Sequence, residues 1–421
     1  MTLGQPTILP LLTPFHTFIT LAIIFFLIKS NLSTVSNGSH ILQNCPSATY
    51  TLHLVFGYRW ILTANPDNLR HILKTNFNNY PKGYFFVRVL FDFLGNGIFN
   101  ANRESWKFER QLSSHEFNTK SLRKFVETVV DTEIHDRLVP VLSDAAGETV
   151  LDLQDVLQRF AFNNFCKSAF GHDPACLLPC LPQIQFADAF EEATEILFQF
   201  LGESNDFSIL GRRENSKSLS LKFLSSGHSD ENFVTDIVIS FILAGRDTTS
   251  AALTWFFWLI YEYPEVEKEI LKEIKEKSDT PVYEEVKVMV YVHVSLCESM
   301  RLYPPAMGRM EKVWGTDWAD FKPERWLERD EARKWSFVGR DPYTYPVLNA
   351  GPRICLGKEM AFLQMKRYLR LEFPTFLLSG REQGGFSRTA AAVPSRVVEN
   401  RNVNFDYRNV NLDYRNEFRL M

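Results

Sequence analysis

Apolar residues recur at helical spacing over most of the chain. Five long stretches have this pattern, and they cover residues 106–117, 121–142, 151–170, 237–260 and 264–275. Each of them predicts a helix with a buried face. Residues 47–70 differ, because a partly alternating segment there is followed by Asn65-Pro66, which indicates a turn into a short helix. The pattern therefore predicts a mainly α fold with a minor β-sheet.

The first apolar run has a different character. Residues 8–28 contain no charged side chain and are followed by Lys29. A run of this length is enough for a helix to cross a bilayer. The alternative is a cleaved signal peptide, but neither a basic segment before the run nor a small-x-small cleavage site is evident. Because the nearby basic residues follow the run, the sequence predicts an uncleaved single-pass anchor over residues 1–29, with the body facing the cytosol.

The last part of the chain is polar and repetitive. Residues 402–408 and 409–415 form a tandem seven-residue repeat of low complexity. Such a segment has too few apolar residues to build a packed core. We therefore divide the chain into an anchor over residues 1–29, a globular body over residues 30–370 and an unassigned low-complexity tail over residues 371–421.

Composition and charge narrow the classes of function. The sequence is 45% hydrophobic and 23% charged, which suits a globular fold with a sizeable core. A net charge of −4 over 421 residues provides no strongly basic surface, so we expect no nucleic-acid partner. The six cysteines are scattered without paired spacing, which is typical of reduced thiols on the cytosolic side.

One cysteine lies between two glycines, in the motif Gly351-x-Arg353-x-Cys355-x-Gly357, just before a predicted helix. Glycines permit a tight turn and a close approach to a flat ligand. The free amides at a helix start favour a thiolate over a thiol, and a thiolate can push electron density onto haem iron. For an isolated cysteine the alternative is a structural buried thiol, so the interpretation depends on the accompanying motifs.

A polar group interrupts the apolar stretch at residues 237–260. A second transmembrane helix is one alternative, but Arg246 and Asp247 would be costly in lipid. A core helix with an incidental polar break is another, although buried polar groups need a reason. An acid and an alcohol on a helix that loosens at Gly245 predict a proton relay, in which Asp247 brings protons from solvent and Thr248 hydrogen-bonds dioxygen.

An acid–base pair follows further along the chain. Glu298 and Arg301 lie three residues apart on one face of a predicted helix. The alternative is an ordinary surface pair, which would contribute little stability. Apolar neighbours indicate that the pair is partly buried, and the fork of a buried arginine needs further partners. We expect Arg325, in the motif at residues 323–326, to complete the group.

Taken in order, these motifs resemble those of the cytochrome P-450 superfamily. The series runs from residues 244–249 through the acid–base pair and residues 323–326 to the Cys355 loop, and residues 106–110 resemble the family's WxxxR helix. Four motifs in this order are far more specific than any one alone. The resemblance covers residues 47–370 with gaps, and it implies a haem-thiolate monooxygenase.

The resemblance implies a cofactor and a role for each site residue. The cofactor is haem b, with Cys355 as the axial thiolate ligand of its iron. Trp106 and Arg110 would hold one haem propionate, and Arg353 would hold the other by a charge-assisted bond. Asp247 and Thr248 would be the catalytic pair that steers protons, while Glu298, Arg301 and Arg325 would be structural.

The resemblance also implies partners and a substrate class. Residues 91–99, 113–123 and 225–245 are similar to the plant microsomal branch that hydroxylates the terminal, or ω, carbon of fatty acids. The same branch contains jasmonoyl-isoleucine hydroxylases, an alternative substrate class. The implied partners are an NADPH-dependent cytochrome reductase, a small lipophilic substrate and the endoplasmic reticulum membrane. Residues 84–99 are a candidate wall of the substrate pocket, with plain core packing as the alternative.

Several segments depart from the family pattern. Residues 195–225 are too short for the usual pair of helices above the substrate pocket. Pro304-Pro305 runs almost directly into Met307, without most of the strands that normally follow. Leu348 replaces the usual Phe, no proline-rich hinge follows residue 28, and the likeness stops at residue 370. The chain therefore resembles an internally truncated member of the family.

Two other functions follow from these departures and from the cofactor chemistry. The first is a catalytically inactive or unstable membrane-anchored haem-protein remnant, which the missing segments favour. The second is a haem-thiolate isomerase or dehydratase acting on fatty-acid hydroperoxides. Such an enzyme needs no dioxygen activation, so the intact Asp247-Thr248 pair argues against it.

Overall fold

The fold is taken from a computed structural model of the whole chain. The structure describes residues 38–53, 59–145, 152–183, most of 185–194, 231–276, 282–303, 306–329 and 335–382. The predicted membrane anchor and the repeat tail lie outside these ranges. The chain divides into two units, residues 1–69 and residues 70–421, and each is described by itself.

The first unit contains a short helix and a β-hairpin. Helix α1 spans Gly38–Asn44, and the antiparallel strands β1 and β2 span Thr49–His53 and Arg59–Thr63. The hydroxyls of Thr49 and Thr63 face each other across the pair at 2.7 Å. Asn65 then caps α2, Pro66–Arg70, by accepting the amide of Asp67 at 2.9 Å. The strand, turn and helix predicted for residues 47–70 are confirmed.

The second unit opens with a series of helices. Helices α3 and α4 span Tyr84–Leu94 and Arg103–Ser114. Three short helices follow, α5 over Thr119–Lys124, α6 over Asp131–Glu133 and α7 over Val139–Ala145, and π-helical segments at Phe125–Val130 and Ile134–Leu138 join them without a break. Helix α8 spans Leu153–Phe170. Its amino end is capped by Asp152, which accepts the amides of Gln154 and Asp155, and its carboxyl end turns at Gly171 with a positive φ of 63°.

The centre of this unit is a 32-residue helix. Helix α9 spans Glu231–Glu262 and packs along α8. It is followed by α10 over Pro264–Glu276, α11 over Val282–Val288 and α12 over Val290–Leu302. A short α13, Glu311–Trp314, leads to the antiparallel strands β3 and β4, Leu327–Arg329 and Trp335–Phe337. Helix α14, Lys358–Glu382, starts just after the Cys355 loop and continues beyond residue 370, so the boundary predicted there stays a prediction.

The core is mostly helix against helix, which confirms the predicted mainly α fold with minor sheets. Apolar residues of the α5–α7 run, α8, the second half of α9, α12 and α14 form one cluster, in which Phe160, Phe256 and Tyr368 are fully buried. A second cluster joins α3 and α8 to the first half of α9. Within the described ranges, no helix combines the length and the apolar character that crossing a membrane requires.

Candidate haem site

The Cys355 loop is a tight turn between a 3-10 segment and helix α14. The amide of Cys355 donates to the carbonyl of Leu348 at 2.9 Å, which closes the loop. Gly351 has a φ of +66°, and a Cβ there would lie 2.0 Å from the carbonyl oxygen of Leu73. Only glycine fits at this position, because the turn needs the left-handed region and the neighbouring backbone leaves no space.

The sulfur of Cys355 lies at an exposed point of this loop, although many protein atoms surround it. Desolvation raises the pKa of its thiol, and this influence outweighs the amides of Gly357 and Lys358 and the charge of Arg110, which lower it. The amides at the helix start thus act in the predicted direction, towards the thiolate, while burial opposes them. A coordinated metal deprotonates a thiol outright, so iron would supply the missing stabilisation.

Two arginines and a tryptophan gather beside the loop. The Arg353 guanidinium lies 4.5 Å from the centre of the Trp106 ring, and that of Arg110 lies 5.8 Å from it. Arg110 donates to the carbonyl of Ile354 at 2.7 Å, and Arg353 donates to the carbonyl of Ala101 at 3.0 Å. The structure therefore brings Trp106, Arg110, Arg353 and Cys355 together from α4 and from a loop about 250 residues later.

Three basic side chains crowd together at this place. Burial and the charge of Arg110 lower the pKa of Arg353 to about 10. Burial and the charge of Arg353 lower the pKa of Lys82 to about 7. Within the described residues, none of these three cations forms an ion pair with a carboxylate. Crowded cations of this kind fit an anionic ligand, and the two propionates of a haem provide one.

Lys82 and Glu109 are neighbours of the site that the sequence did not predict. Glu109 is fully buried on α4, between Trp106 and Arg110, and accepts a hydrogen bond from Ser105 at 3.1 Å. Burial, together with the nearby charge of Asp236, raises the pKa of its carboxyl to about 7 despite the opposing influence of Arg353. No sequence motif marks either residue, because only the folded chain brings Lys82 and Glu109 to Arg353.

The predicted catalytic pair lies in the middle of α9. Thr248 is exposed, whereas the next two residues are buried. Its hydroxyl donates to the carbonyl of Ala244 at 2.5 Å. Asp247 forms an ion pair with Arg246 at 3.2 Å, and Arg246 approaches the side-chain oxygen of Gln158 on α8 at 3.5 Å. Thr248 therefore presents an exposed hydroxyl on a continuous helix, and the neighbouring Asp247 carboxylate is held by Arg246.

The helix does not loosen at Gly245, contrary to the prediction. Helix α9 is continuous from Glu231 to Glu262. A Cβ on Gly245 would lie 2.6 Å from Cδ2 of Phe165 on α8. The glycine is needed because the two helices pack closely there, not because the helix opens.

The predicted acid–base group is confirmed, and its Glu298 and Arg301 side chains are fully buried. Glu298 accepts two hydrogen bonds from Arg301 at 2.8 Å each, one from Arg325 at 2.7 Å and one from the indole of Trp326 at 2.8 Å. Arg301 also donates to the carbonyl of Gly308 at 2.5 Å and to that of Trp318 at 2.8 Å. The group fixes α12 to the segment that leads towards the Cys355 loop. The group therefore positions the backbone that follows α12, through the carbonyls of Gly308 and Trp318.

Comparison with known proteins identifies this arrangement. The family model described as Cytochrome P-450 matches residues 20–212, 205–314 and 305–386. The chain belongs to the cytochrome P-450 family. Membership implies a haem held through a cysteine thiolate and a redox partner, and it makes the protein a cytochrome P-450 monooxygenase by class.

Plant members of the family are similar over most of the chain. Cytochrome P-450 94A2 of Vicia sativa is 53% identical over 401 residues, and Cytochrome P-450 94A1 of the same plant is 50% identical over 399. Each alignment covers 78% of this chain and 78% of the relative. Cytochrome P-450 94B1 of Arabidopsis thaliana is 41% identical, with 77% of this chain and 78% of the relative covered. These relatives support the 94 branch of the cytochrome P-450 family.

The family match breaks at two places. The match consists of three pieces, and consecutive pieces overlap at residues 205–212 and 305–314. The first break lies within residues 195–225, where the sequence is short for the usual pair of helices. The second lies beside Pro304-Pro305, where strands of the usual fold are expected but the chain passes directly from α12 to Ala306–Arg309. The breaks support the interpretation that this chain is internally shorter than its family.

Proposed function

We propose that this protein is a membrane-anchored cytochrome P-450 that hydroxylates the terminal carbon of a fatty acid or of a fatty-acid-derived substrate. The observation that carries the proposal is the meeting of Cys355 with Trp106, Arg110 and Arg353 in a crowded group of basic side chains. The resemblance of residues 91–99, 113–123 and 225–245 to the ω-hydroxylating branch supports the substrate class. The high identity to the 94A relatives agrees with that branch.

Each residue of the site has one task in this proposal. Cys355 binds the iron of haem b through its sulfur. Arg110 and Arg353 hold the two propionates, and the Lys82 amine lies close enough to Arg353 for the two groups to interact. The Trp106 ring lies against both guanidinium groups and fixes their direction.

The bound haem supplies oxygen activation, using dioxygen and two electrons from an NADPH-dependent cytochrome reductase. One oxygen atom enters the terminal C–H bond and the other leaves as water, so two protons must reach the site. Asp247 accepts protons from solvent at its carboxylate, and the exposed Thr248 hydroxyl passes them on. Arg246 holds the Asp247 carboxylate in place through its ion pair at 3.2 Å.

The substrate approaches between apolar surfaces. Helix α3 buries Val89, Leu90 and Leu94 against its neighbours, while Tyr84 and Phe91 remain exposed. An aromatic face that stays exposed on a well-packed helix suits an acyl chain. Helix α3 is therefore the proposed wall of the substrate pocket.

Residues 1–29 anchor the chain in the endoplasmic reticulum membrane, with the body in the cytosol beside the reductase. The uncharged run at residues 8–28 carries this part of the proposal. Removal of residues 2–29 is expected to shift the protein from the microsomal pellet to the supernatant after a carbonate wash. If the full chain is itself washed off, the anchor is wrong.

Turnover in microsomes that contain a plant reductase tests the function. Saturated and unsaturated fatty acids are supplied with NADPH, and the alcohols are analysed by gas chromatography and mass spectrometry. We expect ω-hydroxy acids from the wild type and none from Cys355→Ala. If the haem-loaded protein oxidises jasmonoyl-isoleucine but no fatty acid, the substrate is that conjugate and not a free fatty acid. Haem-loaded protein that oxidises neither would make this chain a non-catalytic haem protein.

A further inference from the structure

A glycine-rich turn after α3 is docked on the first part of α9. The turn is Gly95-Asn96-Gly97, and the amide of Asn96 donates to Oδ2 of Asp236 at 2.8 Å. Asp236 lies on α9 and is only 3% exposed. An oxygen buried without a hydrogen-bond partner is unfavourable, so this acceptor favours the docked turn. The contact therefore joins the end of α3 to α9 by more than apolar packing.

Both glycines are needed for this contact. Gly95 has a φ of +52°, and a Cβ there would lie 2.1 Å from Oδ2 of Asp236. A Cβ on Gly97 would lie 2.3 Å from Oγ of Ser240 and 2.5 Å from the carbonyl oxygen of Asp236. Any side chain at either position would push the turn away from the helix. The motif is thus explained by close approach to α9, not by flexibility.

The turn and α3 are also tied to each other. The buried side-chain amide of Asn100 donates to the carbonyl of Gly95 at 2.8 Å and to that of Val87 at 2.9 Å. Apolar side chains of α3 and α9 share one buried cluster. A displacement of the turn is therefore expected to displace α3 as well.

Helix α9 carries both this contact and the residues that handle oxygen. Asp236 and Thr248 are twelve positions apart on one unbroken helix, a span of about 18 Å. The contact thus fixes α3, the proposed wall of the pocket, relative to Thr248. A fixed position of this wall matters for a terminal hydroxylase, because the C–H bonds of a terminal methyl group are stronger than those within the chain. A loose wall would let the weaker in-chain positions react.

We infer that Asp236 is a positioning residue that holds α3 in register with Thr248 and so selects the terminal carbon of the substrate. This inference rests on the proposed fatty-acid hydroxylation. The Asn96–Asp236 contact with its two flanking glycines is the structural basis. Asp236 acts through the turn and α3, which makes it a positioning residue and not a catalytic one.

Two substitutions at one position separate the contact from the charge. Asp236→Ala removes the acceptor, whereas Asp236→Asn keeps an oxygen that can accept the Asn96 amide. Gly97→Ala is a second way to break the contact, because the added Cβ displaces the turn from α9 while Asp236 is unchanged. All are made in the full haem-loaded chain in microsomes, and the carbon-monoxide difference spectrum is required to match that of the wild type.

Three measurements follow on these variants. Hydrogen–deuterium exchange over residues 84–100 is expected to be faster by at least about tenfold in Asp236→Ala and Gly97→Ala, and close to wild type in Asp236→Asn. The ratio of terminal to in-chain alcohol is expected to fall severalfold in the same two variants and to stay unchanged in Asp236→Asn. The dissociation constant of lauric acid, from its shift of the haem absorbance, is expected to rise in parallel.

The outcomes distinguish this inference from the proposed function. Unchanged exchange in both Asp236→Ala and Gly97→Ala would overturn it, because the contact would then not hold α3. Faster exchange with an unchanged product ratio and unchanged lauric acid binding would also overturn it. If the wild type binds lauric acid but forms no terminal alcohol, the proposed function fails, and weaker binding in the two variants still supports the positioning role.

Discussion

Basic side chains crowd around the Trp106 ring. Arg353 is the most constrained of them, because its guanidinium lies against Trp106 and its pKa is lowered by burial and by Arg110. A charged ligand group at this place gains a charge-assisted bond worth about 1.5–3 kcal/mol. The affinity for haem should therefore depend strongly on this side chain.

We expect Arg353→Gln to release haem about 10–100 times faster than the wild type, which corresponds to the loss of that bond. Transfer of haem to apomyoglobin measures the rate. Arg123→Gln is the matched control, since Arg123 is a half-exposed arginine whose charge is paired with Glu284. Equal rates for Arg353→Gln and the control would contradict the role of Arg353.

Glu109 makes stability depend on pH. Its pKa is raised from 4.5 to about 7 in the folded protein. The folded state thus holds a proton that the unfolded state releases between these two values. The stabilisation that this carboxyl contributes is fully present below pH 4.5 and is lost as the pH rises through 7.

The free energy of unfolding is accordingly expected to fall with rising pH between 5 and 8 more steeply in the wild type than in Glu109→Gln, which cannot titrate. Urea unfolding of the haem-loaded protein at several pH values gives both curves. Parallel curves would mean that Glu109 has an ordinary pKa.

At the scale of elements, the pair Glu298–Arg301 joins α12 to the chain that follows. Both side chains are 0% exposed, and Glu298 serves four donors from three residues besides the amide of Lys322. Helix α10 contains a comparable acid–base pair at the surface, which serves as the control. Its Glu269–Lys272 pair has the same spacing at 3.7 Å but is about half exposed.

Glu298→Ala is expected to lower the free energy of unfolding by about 3–5 kcal/mol, because Arg301 is left as an uncompensated buried charge. Glu269→Ala is expected to change it by less than about 0.5 kcal/mol. Chemical denaturation of both variants checks the difference. Similar effects of the two substitutions would show that the buried group contributes no more than a surface pair.

The sequence predicts most helices well because their apolar spacing is local. Residues 237–260 and 264–275 are predicted as helices, and α9 and α10 span Glu231–Glu262 and Pro264–Glu276. The Glu298 group was also predictable, since three of its members lie in motifs. The fit of Gly245 against Phe165 was not, because a close approach between two helices leaves no mark in the spacing of either one.

The site is harder to predict for the same reason. Motifs identify Cys355, Trp106, Arg110 and Arg353, but nothing near Lys82 or Asp236 in the sequence indicates what each meets. For the thiol of Cys355, the sequence predicts the effect of the helix start but not the opposing effect of burial. Desolvation depends on the whole surrounding fold, whereas the helix start is visible in the local sequence.

At the scale of the whole molecule, the shortened segments and the haem site lie in different parts of the chain. The family match breaks at residues 205–212 and 305–314. The contacts described above among Cys355, Trp106, Arg110 and Arg353 involve no residue beside these breaks. The central claim is therefore that this chain, though internally shorter than its relatives, folds to hold haem through Cys355.

The reduced, carbon-monoxide-bound difference spectrum of the chain in microsomes tests this claim most directly. Cys355→Ala is the control, because it removes the ligand and little else from an exposed point of the loop. We predict a red-shifted band that is typical of a thiolate ligand in the wild type and absent from the variant. A band without the thiolate shift in the wild type, or no bound haem at all, would contradict the account.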